Sequence, residues 1–418
     1  MVQSYFHYLT DFKCLANRTH VKSNSSSVIF IGIDLFADQS TVLQSRNLNI
    51  CLAIDCSGSM QGEKIARAKE SAIILARSLS PNDLISIVTF EYKVKVLLAP
   101  TPASEQDKIE NVISSITVGS ATSLYGGLQK AHDLASKNSK SGRITRIVLI
   151  TDGIPTDKEN PKDYEKLCKE IRKDGITVNP IGIGDGYNDE LLLRISDSGG
   201  GEWMHVTDPH FQLSNFLREQ VTVMLNTIAI NPELRLEFIP GAEIVDFYTV
   251  KPVLTKMEPP QRKGDKYVLN LRDLVVGQEQ TIVFRVKLPS QSSGTYNLLN
   301  ASVVNKNLNV PITYTEDSNL YNSEPNPDPR ILLFATEGTV LMRKGMDGDT
   351  IALQKAETIL KAVPSDPDAT VALNPATQDT IINLKQIHDT TVMNPNLSEA
   401  EKKDLMHDTT IIRRKGSN

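Results

Sequence analysis

Residues 28–36 place Ile29, Ile31, Ile33 and Leu35 on one side of the chain, the two-residue period of a strand with a buried face. After a polar stretch the texture changes. Residues 49–54 open on Asn49 and are apolar from Ile50 to Ile54, the mark of a strand at the centre of a parallel sheet covered on both faces. Residues 62–79 then bring Ile65, Ala68, Ala72, Leu75 and Leu79 round at helical spacing. Strands are predicted again at 84–90, 146–151 and 176–183, and helices at 104–116, 124–135 and 161–173. Strand alternating with helix predicts an α/β domain over 46–227, a doubly wound, mostly parallel sheet with right-handed crossovers.

Beyond Asn231-Pro232 the helical period disappears. Leu234, Leu236 and Phe238 alternate with polar residues, as do Tyr267, Leu269 and Leu271, and then Ile282, Phe284, Val286 and Leu288. Pro240-Gly241, Lys263-Gly264-Asp265 and Ser293-Gly294 punctuate them, which predicts an antiparallel β-sandwich over 232–320. The strand at 28–37 is expected to complete that sandwich, making the α/β domain an insertion in it and leaving 1–27 as an N-terminal segment. A Pro- and Asp-rich hinge at 322–329 precedes two helical runs, 330–344 and 350–362, broken by Gly345 and Gly348. Asp349 is the expected N-cap of the second run and Pro364 its stop. These runs predict a small helical hairpin (330–363) packed on the sandwich, followed by a flexible tail (364–418).

The candidate chemistry lies at the predicted strand ends of the α/β domain. Asp55, Ser57 and Ser59 follow the run at 49–54, Thr122 lies in a loop of small residues, and Asp152 follows the run ending at Thr151. In doubly wound sheets ligands bind beyond the carboxyl ends of the strands, so these distant residues converge there. Two carboxylates and three hydroxyls are hard oxygen donors, suited to Mg²⁺ or Mn²⁺. So few carboxylates do not saturate a divalent ion, and the site is left ready for an acidic group from outside. Helix capping alone would account for Asp55 and Ser57, but not for Thr122 and Asp152.

With its Asp55-Cys56-Ser57-Gly58-Ser59 loop, distant Thr122 and Thr151-Asp152-Gly153 turn, the chain resembles the von Willebrand factor type A domain with its metal-ion-dependent adhesion site. Pro81-Asn82-Asp83-Leu84 and Gly200-Gly201-Glu202-Trp203 support the likeness. The accompanying sandwich is similar to the layout of microbial proteins of this class and of inter-alpha-inhibitor heavy chains. The resemblance implies that Ser57, Ser59 and Thr122 coordinate Mg²⁺ through their hydroxyls, with Mn²⁺ or Ca²⁺ as alternatives. Asp55 and Asp152 would act directly or through water, and a sixth position would take an Asp or Glu of a partner protein.

Composition narrows the function classes. The 418 residues are 40% hydrophobic and 23% charged, ordinary for a globular chain, and the formal net charge of −5 argues against nucleic acid as a partner. No stretch has the roughly 18 consecutive apolar residues of a membrane span. Residues 1–22 lack the apolar core of a signal peptide, and Cys14, Cys51, Cys56 and Cys168 lack disulfide or metal spacing, so a cytoplasmic protein is expected. Asn17 and Asn300 sit in glycosylation triplets that imply nothing without secretion. The seven histidines form no metal-ligand motif, and neither a nucleophile elbow nor a phosphate loop occurs, so no catalytic residue is assigned and no enzyme is expected. Trp203 and Tyr125 are expected to pack rather than to stack ligands.

The tail repeats one short pattern: Asp368-Ala369-Thr370-Val371, Asp379-Thr380-Ile381, Asp389-Thr390-Thr391-Val392 and Asp408-Thr409-Thr410-Ile411. It resembles the segments that bacterial Ser/Thr kinases phosphorylate and forkhead-associated domains read, which makes Thr390, Thr391, Thr409 and Thr410 candidate regulatory sites. Phosphate would add roughly −1.5 to −2 charge and three acceptor oxygens to each. Thr, Val and Ile also favour strands, so weak β-segments are a second reading of the same pattern. The sequence thus predicts a non-enzymatic, metal-dependent protein-binding adaptor or assembly factor. Extracellular adhesion, or a type A subunit of a chelatase or ATPase complex, are the alternatives.

Overall fold

The computed structural model describes residues 11–37, 46–139, 142–158, 160–184, 186–207, 212–257, 260–264, 266–346 and 349–361. Thr390, Thr391, Thr409 and Thr410, like the rest of the repeated tail motifs, lie outside them. The chain divides into two compact units, one of residues 43–231 and one drawn from both sides of it in sequence.

In the first unit, six strands form one sheet in the order Val94–Pro102, Leu84–Phe90, Leu48–Asp55, Ile144–Thr151, Ile176–Ile183 and Met204–Val206. All neighbours run parallel except Val94–Pro102, which pairs antiparallel with Leu84–Phe90. Leu48–Asp55, Ile144–Thr151 and Ile176–Ile183 are buried at every residue, which explains their lack of alternation. Leu52, Ile54, Val148 and Ile181 join one core with Ala68, Ala72 and Leu75 of helix Glu63–Ser78 and with Phe216 and Leu217 of helix Gln212–Leu225. From Leu48–Asp55 the chain turns first to Leu84–Phe90 on one side. It later crosses to Ile144–Thr151 on the other, which makes the gap between Leu48–Asp55 and Ile144–Thr151 the topological switch point.

Val94–Pro102, helix Asp189–Gly199, Met204–Val206 and helix Gln212–Leu225 have no counterpart in the periodicity analysis. Val94–Pro102 is an edge strand with all but two of its residues exposed or partly so, and its pairing breaks register at two places, which blurs the period. Helix Asp189–Gly199 is set by its ends. The Asn188 side chain accepts the Leu191 amide at its start, and Gly200 takes a left-handed conformation (φ 75°) after its last turn.

The second unit contains two sheets. One runs in the order Asp11–Ala16, Ser27–Phe36, Glu279–Leu288, Glu243–Lys251 and Thr255–Lys256. The other runs Gln261–Lys263, Lys266–Asn270, Glu233–Phe238, Gly294–Val303, Lys306–Thr315 and His20–Lys22, antiparallel apart from its last pair. Ser27–Phe36 pairs along its length with Glu279–Leu288, more than two hundred positions later in sequence. The 1–27 segment therefore supplies a strand to each sheet. Asn17 is 1% exposed, its carbonyl accepting the Phe30 amide and its amide nitrogen donating to Glu324, so the side chain of this glycosylation triplet is already engaged inside the fold.

The side of Ser27–Phe36 opposite Ile29, Ile31, Ile33 and Leu35 is covered too. Helix Asp328–Met346 lays Leu332, Leu333 and Phe334 against Phe30, Tyr248, Val250 and Val283. Gly32 leaves room for Pro329, which a Cβ at that position would approach to 3.3 Å. Glu337 pairs with Arg285 at 2.7 Å, and the Arg343 guanidinium donates to the Leu254 carbonyl. Gly345 lies inside the first helix, where Leu353 of helix Thr350–Lys361 crosses it, and Asp349 accepts the Ala352 amide as an N-cap. Gly348 lies outside the described residues.

Close packing of helix Leu124–Ser139 on the sheet depends on Gly127, whose missing side chain is replaced by the buried ring of Phe90. Alanine would improve helix propensity by about 1 kcal/mol, but its methyl would overlap a ring that has no room to yield. Overpacking of this kind costs about 1–3 kcal/mol. Gly127→Ala is therefore expected to lower the stability of the unit, read as an earlier midpoint in urea unfolding.

Candidate metal centre

Leu48–Asp55 and Ile144–Thr151 are adjacent and in register, so Asp55 ends one strand where Thr151 ends the other and Asp152 begins the next loop. After Asp55 the chain makes a short 3-10 turn, Gly58–Met60, pegged by the fully buried Met60. Gly62, at φ 88°, then redirects it into helix Glu63–Ser78. The Thr122 loop is tied on from the other side. Gly119 donates its amide to the Cys56 carbonyl at 2.6 Å. The Thr156 amide and hydroxyl both donate to the Thr122 carbonyl, and the Thr156 oxygen lies 3.2 Å from the Thr122 amide.

A line of hydrogen bonds joins four of the five expected residues. Asp55 Oδ1 accepts the Ser57 amide at 2.8 Å and Asp55 Oδ2 accepts the Thr151 hydroxyl at 2.5 Å. The Ser59 hydroxyl donates to Asp152 Oδ1 at 2.7 Å, and Ser57 Oγ lies 3.0 Å from Ser59 Oγ. Since the one Ser59 hydrogen is spent on Asp152, any hydrogen bond between the two serines is donated by Ser57. Thr122, the fifth, comes in beside Gly153: a Cβ at that glycine would stand 3.1 Å from Thr122 Oγ1 and 3.7 Å from Ser59 Oγ. The structure thus brings all five residues together, around a space that a side chain at position 153 would invade.

Both carboxylates are buried, while Ser59 is exposed and opens the site to solvent. Burial pushes the Asp55 carboxyl up from 3.8 to about 6; the Thr151 and Ser57 hydrogen bonds hold it down, and the neighbouring Asp152 charge adds to the rise. The Asp152 side chain, 0% exposed, is paired with Lys64, whose Nζ lies 2.6 Å from Asp152 Oδ2. Among the described residues no three His, Cys, Asp or Glu side chains converge, so a cation here would depend on hydroxyl oxygens.

The donor set fits a small divalent cation. Two oxygens bound at right angles about 2.1 Å from Mg²⁺ lie about 3.0 Å apart, the separation of Ser57 Oγ and Ser59 Oγ. The Ser59 hydrogen goes to Asp152, and the Ser57 hydroxyl lies within reach of both Ser59 and Asp55, which leaves each serine oxygen a lone pair to offer a cation.

Three supporting residues escaped the sequence reading. Thr151 holds Asp55 and also accepts the Gly153 amide, Thr156 holds Thr122, and Lys64 neutralises Asp152. Thr151 and Thr156 flank the Asp152-Gly153 turn closely enough to have been suspected, whereas Lys64 reads as one more charge on a helix. Trp203 is buried edge-on to Tyr187, and Tyr125 packs edge-on to Tyr164.

A doubly wound sheet with Asp, Ser, Ser, Thr and Asp gathered at its switch point is the architecture of a von Willebrand factor type A domain. Residues 49–219 match that family, and this unit of the chain is such a domain, a module that commonly mediates protein–protein interaction or adhesion. The chain is 26% identical over 264 residues to the uncharacterized protein YfbK of Escherichia coli, covering 62% of this chain and 45% of that protein. It is 28% identical over 255 residues to an uncharacterized protein of Synechocystis, covering 60% and 59%. The chain therefore spans about half the length of these relatives. Inter-alpha-trypsin inhibitor heavy chain H4 of Bos taurus is 26% identical over 193 residues, 43% of this chain and 21% of that protein. Among solved structures, a von Willebrand factor type A protein from Catenulispora acidiphila shares the fold at a TM-score of 0.76 and 18% identity, over 99% of both chains. The ArnB paralog VWA2 from Sulfolobus acidocaldarius does so at 0.62 and 19%, over 96% of both.

The Asp55 environment makes a pH-dependent forecast. Its folded-state pKa lies above the unfolded value, so the unfolded chain releases this proton first, and the contribution to stability falls as pH rises from 3.8 to about 6. Removing the charge should recover on the order of 3 kcal/mol, less about 1 kcal/mol for a poorer hydrogen bond to Thr151. In EDTA, Asp55→Asn is expected to unfold at a higher urea midpoint than wild type at pH 8, with the advantage fading toward pH 4.

Proposed function

We propose that this chain is a non-enzymatic, metal-dependent docking protein. Ser57, Ser59 and Thr122 would hold Mg²⁺ through their hydroxyls, and Asp55 and Asp152 would act directly or through water. When bound, the ion supplies a Lewis-acidic, positively charged point to which an Asp or Glu of a partner protein adds. The convergence of all five residues, with hard oxygen donors and few carboxylates, supports this reading and suits Mg²⁺ or Mn²⁺.

The chain's own residues do the positioning. Thr151 and the Ser57 amide orient Asp55, and Thr156 orients Thr122. The line of contacts from Ser57 through Ser59 to Asp152 presents oxygen lone pairs without rearrangement. Burial of both carboxylates keeps water from screening the charge they would share with an ion, which strengthens a charge-assisted contact to an incoming carboxylate.

A place inside the cell belongs to the same proposal. It draws on the four cysteines, all free, of which Cys51, Cys56 and Cys168 are buried within one unit. Among the described residues no helix is long and apolar enough to cross a membrane. The repeated tail motif fits regulation of such an adaptor, with phosphorylation of Thr390, Thr391, Thr409 or Thr410 creating an epitope for a forkhead-associated domain.

An affinity pull-down from native lysate, comparing wild type with Asp55→Ala and each with and without EDTA, tests the docking reading. Partners that vanish on both mutation and chelation are expected; partners that survive both would refute metal-dependent docking. For the tail, intact-mass analysis after co-expression with the host Ser/Thr kinase is expected to show added phosphate that Thr→Ala changes at 390, 391, 409 and 410 remove.

A further inference from the structure

Lys64 stands in the first turn of helix Glu63–Ser78, where the helix dipole disfavours a positive charge. What it gains there is Asp152. Its Nζ lies 2.6 Å from Asp152 Oδ2, and its chain runs past Gly184, a Cβ on which would meet Cε at 3.6 Å and Nζ at 3.7 Å. The lysine side chain is 35% exposed and the aspartate side chain 0%. The ammonium therefore reaches in from solvent to touch a carboxylate with no other access to a compensating charge among its contacts, Ser59 being neutral. Two buried carboxylates against one ammonium leave one negative charge uncompensated. A divalent ion added with Lys64 in place leaves one positive charge in excess, and a single carboxylate from outside closes the balance.

We propose that Lys64 is a tethered counter-ion of the site, which weakens its hold on a bare divalent cation and leaves the cation-loaded site with the positive excess that selects an acidic ligand. The inference rests on the metal-dependent reading above and goes beyond it by assigning the tuning of both steps to one residue that donates no oxygen to the ion. Like-charge repulsion across a few ångströms in a partly buried site is strong enough to change an affinity at least tenfold. A positive excess left after the ion binds turns the ion and the acidic ligand into linked events, each tightening the other by the same factor. Removing the lysine charge should therefore tighten the first step and weaken the hold of the loaded site on an acidic ligand.

The test is calorimetric titration of the full chain with Mn²⁺, for wild type and for Lys64→Met, Lys64→Gln and Lys64→Arg. Gln keeps a hydrogen-bond donor for Asp152 without the charge, and so remains informative if the Met variant does not fold. The Met and Gln variants are expected to bind Mn²⁺ about tenfold more tightly than wild type, and Arg to match wild type. Replacing chloride by acetate at constant ionic strength is expected to tighten Mn²⁺ binding in wild type more than in the Gln variant. Equal Mn²⁺ affinity across the series, or an equal acetate effect, would overturn the role of Lys64 while leaving the metal reading intact. No Mn²⁺ binding by any of the four proteins would overturn both.

Discussion

Two carboxylates buried side by side at the ends of adjacent parallel strands are the constraint around which the loops of the α/β unit are arranged. Asp55 and Asp152 meet because Leu48–Asp55 and Ile144–Thr151 are neighbours in register at the point where the sheet changes direction. Unanswered, such a pair is costly: each charge has left water, and each raises the energy of the other. The surrounding residues are the answer. The Thr151 hydroxyl and Ser57 amide serve Asp55, while the Ser59 hydroxyl and Lys64 ammonium serve Asp152. A core that buries three strands end to end provides the rigidity to hold them in place.

That arrangement separates stability from binding. The Asp55 carboxyl, pushed up to about 6, shows that its ionised form is held at some expense. Charge concentrated where hydroxyl oxygens also converge is what a cation needs and what an apolar core would avoid. The supporting contacts come from loops that follow different strands, so the site depends on the whole sheet edge rather than on any one segment.

The second unit shows a different dependence on distance in sequence. Ser27–Phe36 shares one sheet with Glu279–Leu288, and His20–Lys22 closes the edge of the other beside Lys306–Thr315. Its strand at 27–36 is covered on both sides, by the buried row Ile29, Ile31, Ile33 and Leu35 and by Phe334 packing on Phe30. The short strands Asp11–Ala16 and His20–Lys22 bury only Phe12 and Ala16 in one and Val21 in the other, and the long-range pairing that makes them strands leaves no local trace.

By itself the sequence determined the α/β class, the strand ends at Asp55 and Thr151, and the residue types gathered there. Those features are written in local patterns: unbroken apolar runs, helical spacing, and small oxygen-bearing residues just past a strand. Tertiary structure decided the rest. Lys64 lies on a helix face where any lysine would look solvated, and only the crossover that lays this helix beside the Asp152 loop turns it into a buried carboxylate's partner. Thr156 and Gly127 likewise take their roles from what lies across from them, Thr122 and Phe90, more than thirty positions away in sequence. A hydrophobic period records which way a side chain faces; it holds no record of which charge or ring waits on the other side.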